Sequence, residues 1–156
     1  MRGAALRQVR ASLLLIYEYE TVVCLRFSTG NTSQRNKTKQ AFTIGLCSGS
    51  KKDIRSSVDV CVSLTGTRGR STWRRLDEKI REQKVDRYDF VEYFRVEIEG
   101  VGDVLLVTLC VRHRSLMEDW YLRYVTIATA DSEELRKFPC HSVVRTRITL
   151  RPGNGG

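Results

Sequence analysis

Prolines, paired cysteines and histidines are all scarce in this sequence. The chain has only two prolines, and 41% of its 156 residues are hydrophobic, which favours a folded body over a disordered chain. Its cysteines never form a CxxC pair, so we expect neither a zinc site nor a dense disulfide framework. The five cysteines are Cys24, Cys47, Cys61, Cys110 and Cys140. Most are expected to be free thiols in strands, as in a reducing cytosol.

Long apolar runs are missing as well. The short run 13–16 follows three arginines but is cut off by Glu18, and it is too brief for a signal-peptide core or a membrane span. We therefore expect neither a secreted nor a membrane-spanning chain, in agreement with a cytoplasmic location.

A change in composition near residue 40 divides the chain. Residues 28–40 are almost all polar, which is typical of a linker. A length of 156 residues corresponds to about one domain. We predict an N-terminal extension or linker over residues 1–40, a folded domain over 41–151 and a flexible tail over 152–156.

From Phe42 onward the hydrophobic pattern has a period of two, the period of β-strands. The segments that show strand character are 42–47, 58–65, 73–76, 93–98, 104–111, 120–128, 135–140 and 144–150. The charged run 77–89 is interpreted instead as a loop or a helical turn or two. Seven or eight short strands with loops between them predict an all-β fold, an antiparallel β-sandwich.

The segment 118–127 is the most strand-like part of the chain. Simple alternation assigns its side chains to two faces, with Trp120, Leu122, Tyr124 and Thr126 opposite Tyr121, Arg123, Val125 and Ile127. Both faces are partly apolar, so we expect an inner strand with Trp120 in or at the edge of the core. Phe138 and Pro139 are also predicted to be structural. The proline has no amide donor and belongs at a strand start, an edge or a bulge.

Five short pieces of sequence occur together in a characteristic order. They are residues 64–69, 76–77, 102–107, 118–127 and 138–140. Over residues 41–151 this arrangement resembles the PLAT, or LH2, domain that precedes the catalytic domain of animal arachidonate lipoxygenases. The resemblance implies an eight-stranded sandwich that docks a lipid-metabolising enzyme onto membranes, often with the help of calcium. Its implied partners are an anionic membrane surface and a lipoxygenase-type catalytic domain.

The resemblance does not imply catalysis by this chain. Lipoxygenase iron is held mainly by several histidines on helices, whereas this chain has only His113 and His141, on a predicted loop or strand. No nucleophile with its base, phosphate-binding glycine loop or carboxylate pair occurs at a recognisable spacing. We therefore expect a non-catalytic chain that binds no iron, the N-terminal regulatory part of a lipoxygenase-like protein.

The resemblance places membrane contact at the end of the sandwich where the loops 49–57, 77–91 and 112–119 meet. Basic residues there attract anionic lipid, and apolar side chains enter the interface. The candidate membrane-binding residues are Lys51, Lys52, Arg55, Tyr88, Phe90, Arg112, Arg114, Leu116 and Met117. A net charge of +9 also suits an acidic protein partner, so a protein-interaction adaptor is the alternative. Nucleic acid is not an expected partner, because the aromatic residues follow core alternation.

The same loops contain three aspartates that are candidate calcium ligands. They are Asp53, Asp86 and Asp89, and the calcium loops of the resembled family fall in this region. Calcium requires about six to eight oxygen ligands, and these three carboxylates would converge from two adjacent loops. The alternative is that these carboxylates pair loosely with the neighbouring lysines and arginines.

Overall fold

The computed structural model describes residues 38–49, 58–114, 119–132 and 134–153. The strands in these ranges are β1 Lys39–Ser48, β2 Val58–Gly66, β3 Gly69–Arg70, β4 Arg74–Arg75, β5 Glu78–Lys84, β6 Phe90–Glu99, β7 Val104–His113, β8 Trp120–Thr129, β9 Arg136–Val144 and β10 Arg147–Leu150. β3 and β4 have two residues each, and every other strand has at least four. Within these ranges no helix is long and apolar enough to cross a bilayer.

The strands form two antiparallel sheets. Sheet I has the order β5-β6-β1-β8-β9, and sheet II has the order β10-β7-β2-β3 with β4 also paired to β2. Side chains from both sheets form one buried core cluster, which includes Phe42, Ile44, Leu64, Phe94, Leu109 and Phe138. The predicted all-β antiparallel sandwich is confirmed.

The charged run after Asp77 is a strand, so the prediction of a loop or helical turn was wrong for residues 78–84. β5 pairs antiparallel with β6 at the edge of sheet I. Charged side chains are common on edge strands, where they discourage pairing with another chain. Lys79 bonds to the buried carboxylate of Glu92, and its Nζ also lies 2.6 Å from Glu82 Oε2. Polar residues on both faces hide the period of two that marks other strands.

A bulge in β8 overturns the predicted alternation of that strand. Cys47 lies opposite Tyr124 and Ser48 lies opposite Leu122, which leaves Arg123 as an extra residue between them. The side chains after Arg123 are therefore shifted to the other face. The core-facing residues of β8 are Trp120, Leu122, Val125 and Ile127.

Pro139 lies in the edge strand β9, directly before an irregularity in that strand. It pairs with Tyr124, while Ser142 pairs with Leu122, so two residues of β9 face the single Arg123. His141, one of these two, has a φ of 51°, in the left-handed region. β9 continues to Val144, so the predicted strand start at 144 was wrong, and β10 begins at Arg147.

Candidate functional site

The end of the sandwich where the three predicted loops begin is held together by hydrogen bonds between strands. The amide of Gly49 donates to the carbonyl of Tyr121 at 3.2 Å. The indole Nε1 of Trp120, a buried residue, donates to the hydroxyl of Ser48 at 2.7 Å. These bonds fix the end of β1 against the start of β8 in sheet I.

Sheet II reaches the same end through His113. Its Nε2 lies 2.9 Å from the carbonyl oxygen of Val144, at the end of β9 in sheet I. His113 also pairs with Val58, the first residue of β2. The β5–β6 turn and the described starts of the other two loops are therefore neighbours. The remaining predicted residues of this end lie outside the described residues: Lys51, Lys52, Asp53, Arg55, Leu116 and Met117.

The β5–β6 turn, residues 85–89, is internally bonded. The amide of Val85 donates to the carbonyl of Asp89 at 2.9 Å. The Oδ1 atom of Asp86 accepts from the amides of Tyr88 and Asp89 at 2.8 and 2.9 Å. In this bonded turn the side chain of Tyr88 is 64% exposed and that of Val85 is 50% exposed. The turn thus presents two apolar side chains to solvent on a fixed backbone.

Phe90 follows this turn and begins β6. It is half-buried and lies opposite Ser48 of β1 and Lys84 of β5. Its position therefore supports the base of the turn, whereas Tyr88 extends from the tip.

Asp89 and Arg123 form an ion pair beneath the turn. Arg123 donates from Nη1 to the carboxylate of Asp89, and its guanidinium lies 3.8 Å from the carboxylate of Asp86. The Asp89 side chain is only 4% exposed, and this burial raises its pKa. The amide hydrogen bond from Tyr88 lowers the pKa of Asp86. The single guanidinium of Arg123 therefore lies beside one buried carboxylate, that of Asp89, and one exposed carboxylate, that of Asp86.

Two of the three predicted calcium ligands are the carboxylates that lie beside Arg123. Asp86 and Asp89 are adjacent, as the prediction requires, while Asp53 lies outside the described residues. In the part of the chain that the structure describes, no cluster of three or more histidine, cysteine, aspartate or glutamate residues is suited to a metal ion. The pair offers far fewer oxygens than calcium requires, and a guanidinium already neutralises the buried carboxylate. The described residues therefore do not fit a calcium ion.

Sequence reasoning did not identify Arg123 as part of this site. Uninterrupted alternation placed Arg123 simply on the face with Val125. Its position depends on the bulge, which is visible only in the pairing with β1 and β9.

The predicted basic residues Arg112 and Arg114 lie in or beside the end of β7 in sheet II. Arg114 Nη2 lies 2.7 Å from Asp59 Oδ1, which also accepts from Arg75 at 2.9 Å. The hydrogen bond from Arg114 lowers the pKa of Asp59. Arg112 lies opposite Asp59 in the register of β2 and β7. Arg114 thus reaches this end of the sandwich with part of its charge balanced.

Two further apolar side chains are exposed at this end of sheet I. Tyr121 of β8 and Val143 of β9 lie opposite each other, and both are exposed. Together with Val85 and Tyr88 they extend from the β5 edge to the β9 edge. Lys84 and Arg87 are exposed next to them. This end therefore combines basic and apolar side chains.

Comparisons with known proteins agree with this architecture. The family model described as PLAT/LH2 domain matches residues 42–150. Coral 8R-lipoxygenase, described as calcium-activated through a C2-like domain, is 23% identical with a TM-score of 0.56, over 72% of this chain and 17% of that one. A calcium-dependent 11R-lipoxygenase is 21% identical with a TM-score of 0.55, over 73% of this chain and 17% of its own.

A LOX deletion variant in complex with arachidonate gives a TM-score of 0.58 at 21% identity, over 74% of this chain and 17% of that chain. At these identities the structural likeness concerns the fold, and the chain spans 17% of the length of each of these lipoxygenases. The match to the family model is independent of that likeness and covers most of the chain. This chain therefore belongs to the PLAT/LH2 domain family.

Proposed function

We propose that this chain is a non-catalytic membrane-docking module that targets a lipoxygenase-like protein to anionic bilayers. The contact surface, called the docking end, consists of Lys84 of β5, the β5–β6 turn, Tyr121 of β8 and Val143 of β9. The observation that carries the proposal is the exposure of Val85 and Tyr88 on an internally bonded turn beside two exposed bases.

The chemistry of the docking end suits a bilayer interface. Lys84 and Arg87 are each worth about 1 kcal/mol near an anionic leaflet. Tyr88 has an apolar ring and a polar hydroxyl, a combination that favours the headgroup region. Val85 adds aliphatic surface, whose burial contributes roughly 25 cal/mol per Å². Electrostatic attraction and shallow insertion act together in this proposal.

Docking in this proposal does not require calcium. In calcium-dependent docking, the ion neutralises carboxylates that otherwise repel an anionic surface. Here the guanidinium of Arg123 already performs that neutralisation for Asp89 and lies near Asp86. The docking end is therefore expected to bind anionic lipid in the absence of calcium.

Liposome co-sedimentation of the full chain tests the proposal. Wild-type protein is expected to bind phosphatidylserine vesicles but not phosphatidylcholine vesicles, equally with calcium and with chelator, and less at high salt. The double variant Val85→Ser/Tyr88→Ser is expected to bind several-fold more weakly. Leu135→Ser is the matched control, because Leu135 is 53% exposed and lies after β8, at the opposite end.

Three results would overturn parts of this proposal. Absence of binding by folded protein under every condition would exclude membrane docking. Equal losses in the double variant and in Leu135→Ser would exclude the docking end as the contact site. Binding that disappears with chelator would show that calcium is required despite Arg123.

The outer face of sheet I favours a second candidate, a protein-interaction adaptor. This face carries a small apolar cluster apart from the main core, formed by Cys47, Val91 and Tyr93 with Tyr124 packed against it. The guanidinium of Arg81 lies 4.1 Å from the ring centre of Tyr93, and Lys137 Nζ lies 3.9 Å from that of Tyr124. Tyrosine and arginine are common at protein interfaces. An adaptor would bind its partner without lipid, and Arg81→Glu/Lys137→Glu would weaken that binding while leaving vesicle binding through the docking end in place.

A further inference from the structure

Two cysteines face each other across the middle of sheet II. Cys61 of β2 lies directly opposite Cys110 of β7 in antiparallel register. Directly opposite residues share a face, with Cα atoms about 4.5–5.5 Å apart. A disulfide needs a Cα separation of roughly 4.4–6.8 Å. The register therefore places the two Cα atoms within the range that a disulfide spans, without any change of strand pairing.

Two arginines extend this row of side chains. Arg75 of β4 lies opposite Cys61, and Arg147 of β10 lies opposite Cys110. The four side chains share the outer face of sheet II, with the thiols in the middle. Both cysteines are reduced and half-buried. The row thus offers partly accessible thiols with a basic residue on each side.

Trp73 lies on the same outer face. Its ring centre is 5.6 Å from the guanidinium carbon of Arg70 and 5.3 Å from that of Arg147. The ring is mostly buried, although no third layer covers this face in the described chain. The ring therefore lies against Arg147, the direct neighbour of Cys110 in the register of β10 and β7.

The other described cysteines have no such arrangement. Cys47 is fully buried and lies opposite Val91 and Tyr124 in sheet I. Cys140 lies in β9, where its Sγ is 3.3 Å from Ser142 Oγ. Among the described cysteines, only Cys61 and Cys110 are paired in register.

We propose that Cys61 and Cys110 form an oxidation site, a cross-strand dithiol that hydrogen peroxide converts reversibly to a disulfide. One thiolate attacks a peroxide oxygen, the O–O bond breaks, and a sulfenic acid and hydroxide form. The second thiolate then attacks the sulfenic sulfur and displaces hydroxide. In total two thiols and one peroxide give one disulfide and two waters, and a dithiol reductant reverses the change.

The bridge has a defined structural consequence. It joins the two central strands of sheet II and closes the chain from Cys61 to Cys110 into a covalent loop. Closing such a loop restricts the unfolded chain, so the oxidised protein is expected to unfold at a higher temperature than the reduced protein. The site lies on a sheet face and is separate from the docking end.

Peroxide titration of the full chain, followed by alkylation and peptide mass spectrometry, tests this site. The expected result is the loss of two alkylatable thiols out of five, with a linked peptide pair containing Cys61 and Cys110. Dithiothreitol is expected to restore both thiols. Cys61→Ser and Cys110→Ser should each abolish the linked pair and leave a sulfenic acid that dimedone labels, whereas the control Cys140→Ser should form the bridge normally.

The wild-type protein alone can overturn the proposal, so the test does not depend on whether the variants fold. Both thiols remaining alkylatable at peroxide concentrations that oxidise the urea-unfolded chain would show that the folded site does not react. Linked peptides that join a different pair of cysteines would show that the register does not direct oxidation.

Discussion

Arg123 donates to the carboxylate of Asp89 across the end of β1, joining the bulge of β8 to the β5–β6 turn. Gly49 follows β1 at the point where the pair crosses. A Cβ at Gly49 would lie 3.0 Å from the Tyr121 ring and 3.9 Å from Asp89 Oδ1. The bulge, the glycine and the ion pair together fix the position of the turn that carries Tyr88.

Loss of the Arg123 guanidinium is expected to destabilise the fold. Arg123→Ala leaves the buried carboxylate of Asp89 without its charged partner, at a cost of about 1–3 kcal/mol in the free energy of unfolding. Urea denaturation at neutral pH measures the change. Arg145→Ala is the control, since Arg145 is 78% exposed and lies 3.9 Å from Asp119, and it should change stability by less than about 0.5 kcal/mol. Equal effects of the two substitutions would contradict a structural role for the pair.

β7 and β8 illustrate what the sequence can and cannot predict about this fold. The apolar run 104–111 predicts β7, because a buried strand needs apolar residues whichever strands it pairs with. The faces of β8 beyond Arg123 could not be predicted, because the bulge depends on its register with β1 and β9. Sequence alone placed Asp86 and Asp89 together in the predicted loop 77–91, since they are local neighbours. It could not bring Arg123 to them.

The edge strand β5 shows a different limit. Apart from the exposed Ile80, its residues are charged or polar on both faces, and only Lys79 is partly buried. Period-two patterns arise when one face is buried, and β5 has no such face over most of its length. Backbone pairing with β6 makes this segment a strand, and no local sequence signal reports that pairing.

Two aspartates are expected to change the pH dependence of stability in opposite directions. The pKa of Asp59 is lowered below its ordinary value of 3.8 by Arg114, so its ionisation stabilises the fold and that stability is lost as pH falls below the ordinary value. The pKa of Asp89 is raised above 3.8 by burial, so stability falls as pH rises above that value toward the folded-state pKa.

Urea unfolding across the acidic range distinguishes the two groups. Asp59→Asn is expected to flatten the loss of stability at the lowest pH values. Asp89→Asn is expected to remove the loss of stability that accompanies ionisation of Asp89. The free energy of unfolding of this variant should therefore rise more steeply with pH than that of the wild type. Parallel shifts of the two variants would show that the environments of these carboxylates do not differ in this way.

Gly45 is expected to be intolerant of a side chain. A Cβ at this position would lie 2.3 Å from Thr126 Oγ1, 3.0 Å from Tyr93 Cε1 and 3.1 Å from Val91 Cγ1. Gly45→Ala should therefore lower the free energy of unfolding by about 1–3 kcal/mol through overpacking. In Gly100→Ala the added Cβ approaches only Thr38 O, at 3.4 Å, and Gln40 Oε1, at 4.0 Å, so this control should be nearly neutral. A neutral Gly45→Ala would show that the outer face of sheet I repacks readily.

Charge removal can separate local docking from diffuse attraction to anionic membranes. Lys84→Gln/Arg87→Gln removes two exposed charges from the docking end, and a loss of about 2 kcal/mol corresponds to roughly 30-fold weaker vesicle binding. Lys39→Gln/Arg68→Gln removes two exposed charges from the opposite end and leaves the same net charge. If attraction depends only on the net charge, the two variants should lose the same affinity for vesicles. If the docking end contacts the membrane, the Lys84→Gln/Arg87→Gln variant should lose far more affinity. Equal affinities of the two variants for phosphatidylserine vesicles at physiological salt would therefore contradict an oriented docking mode.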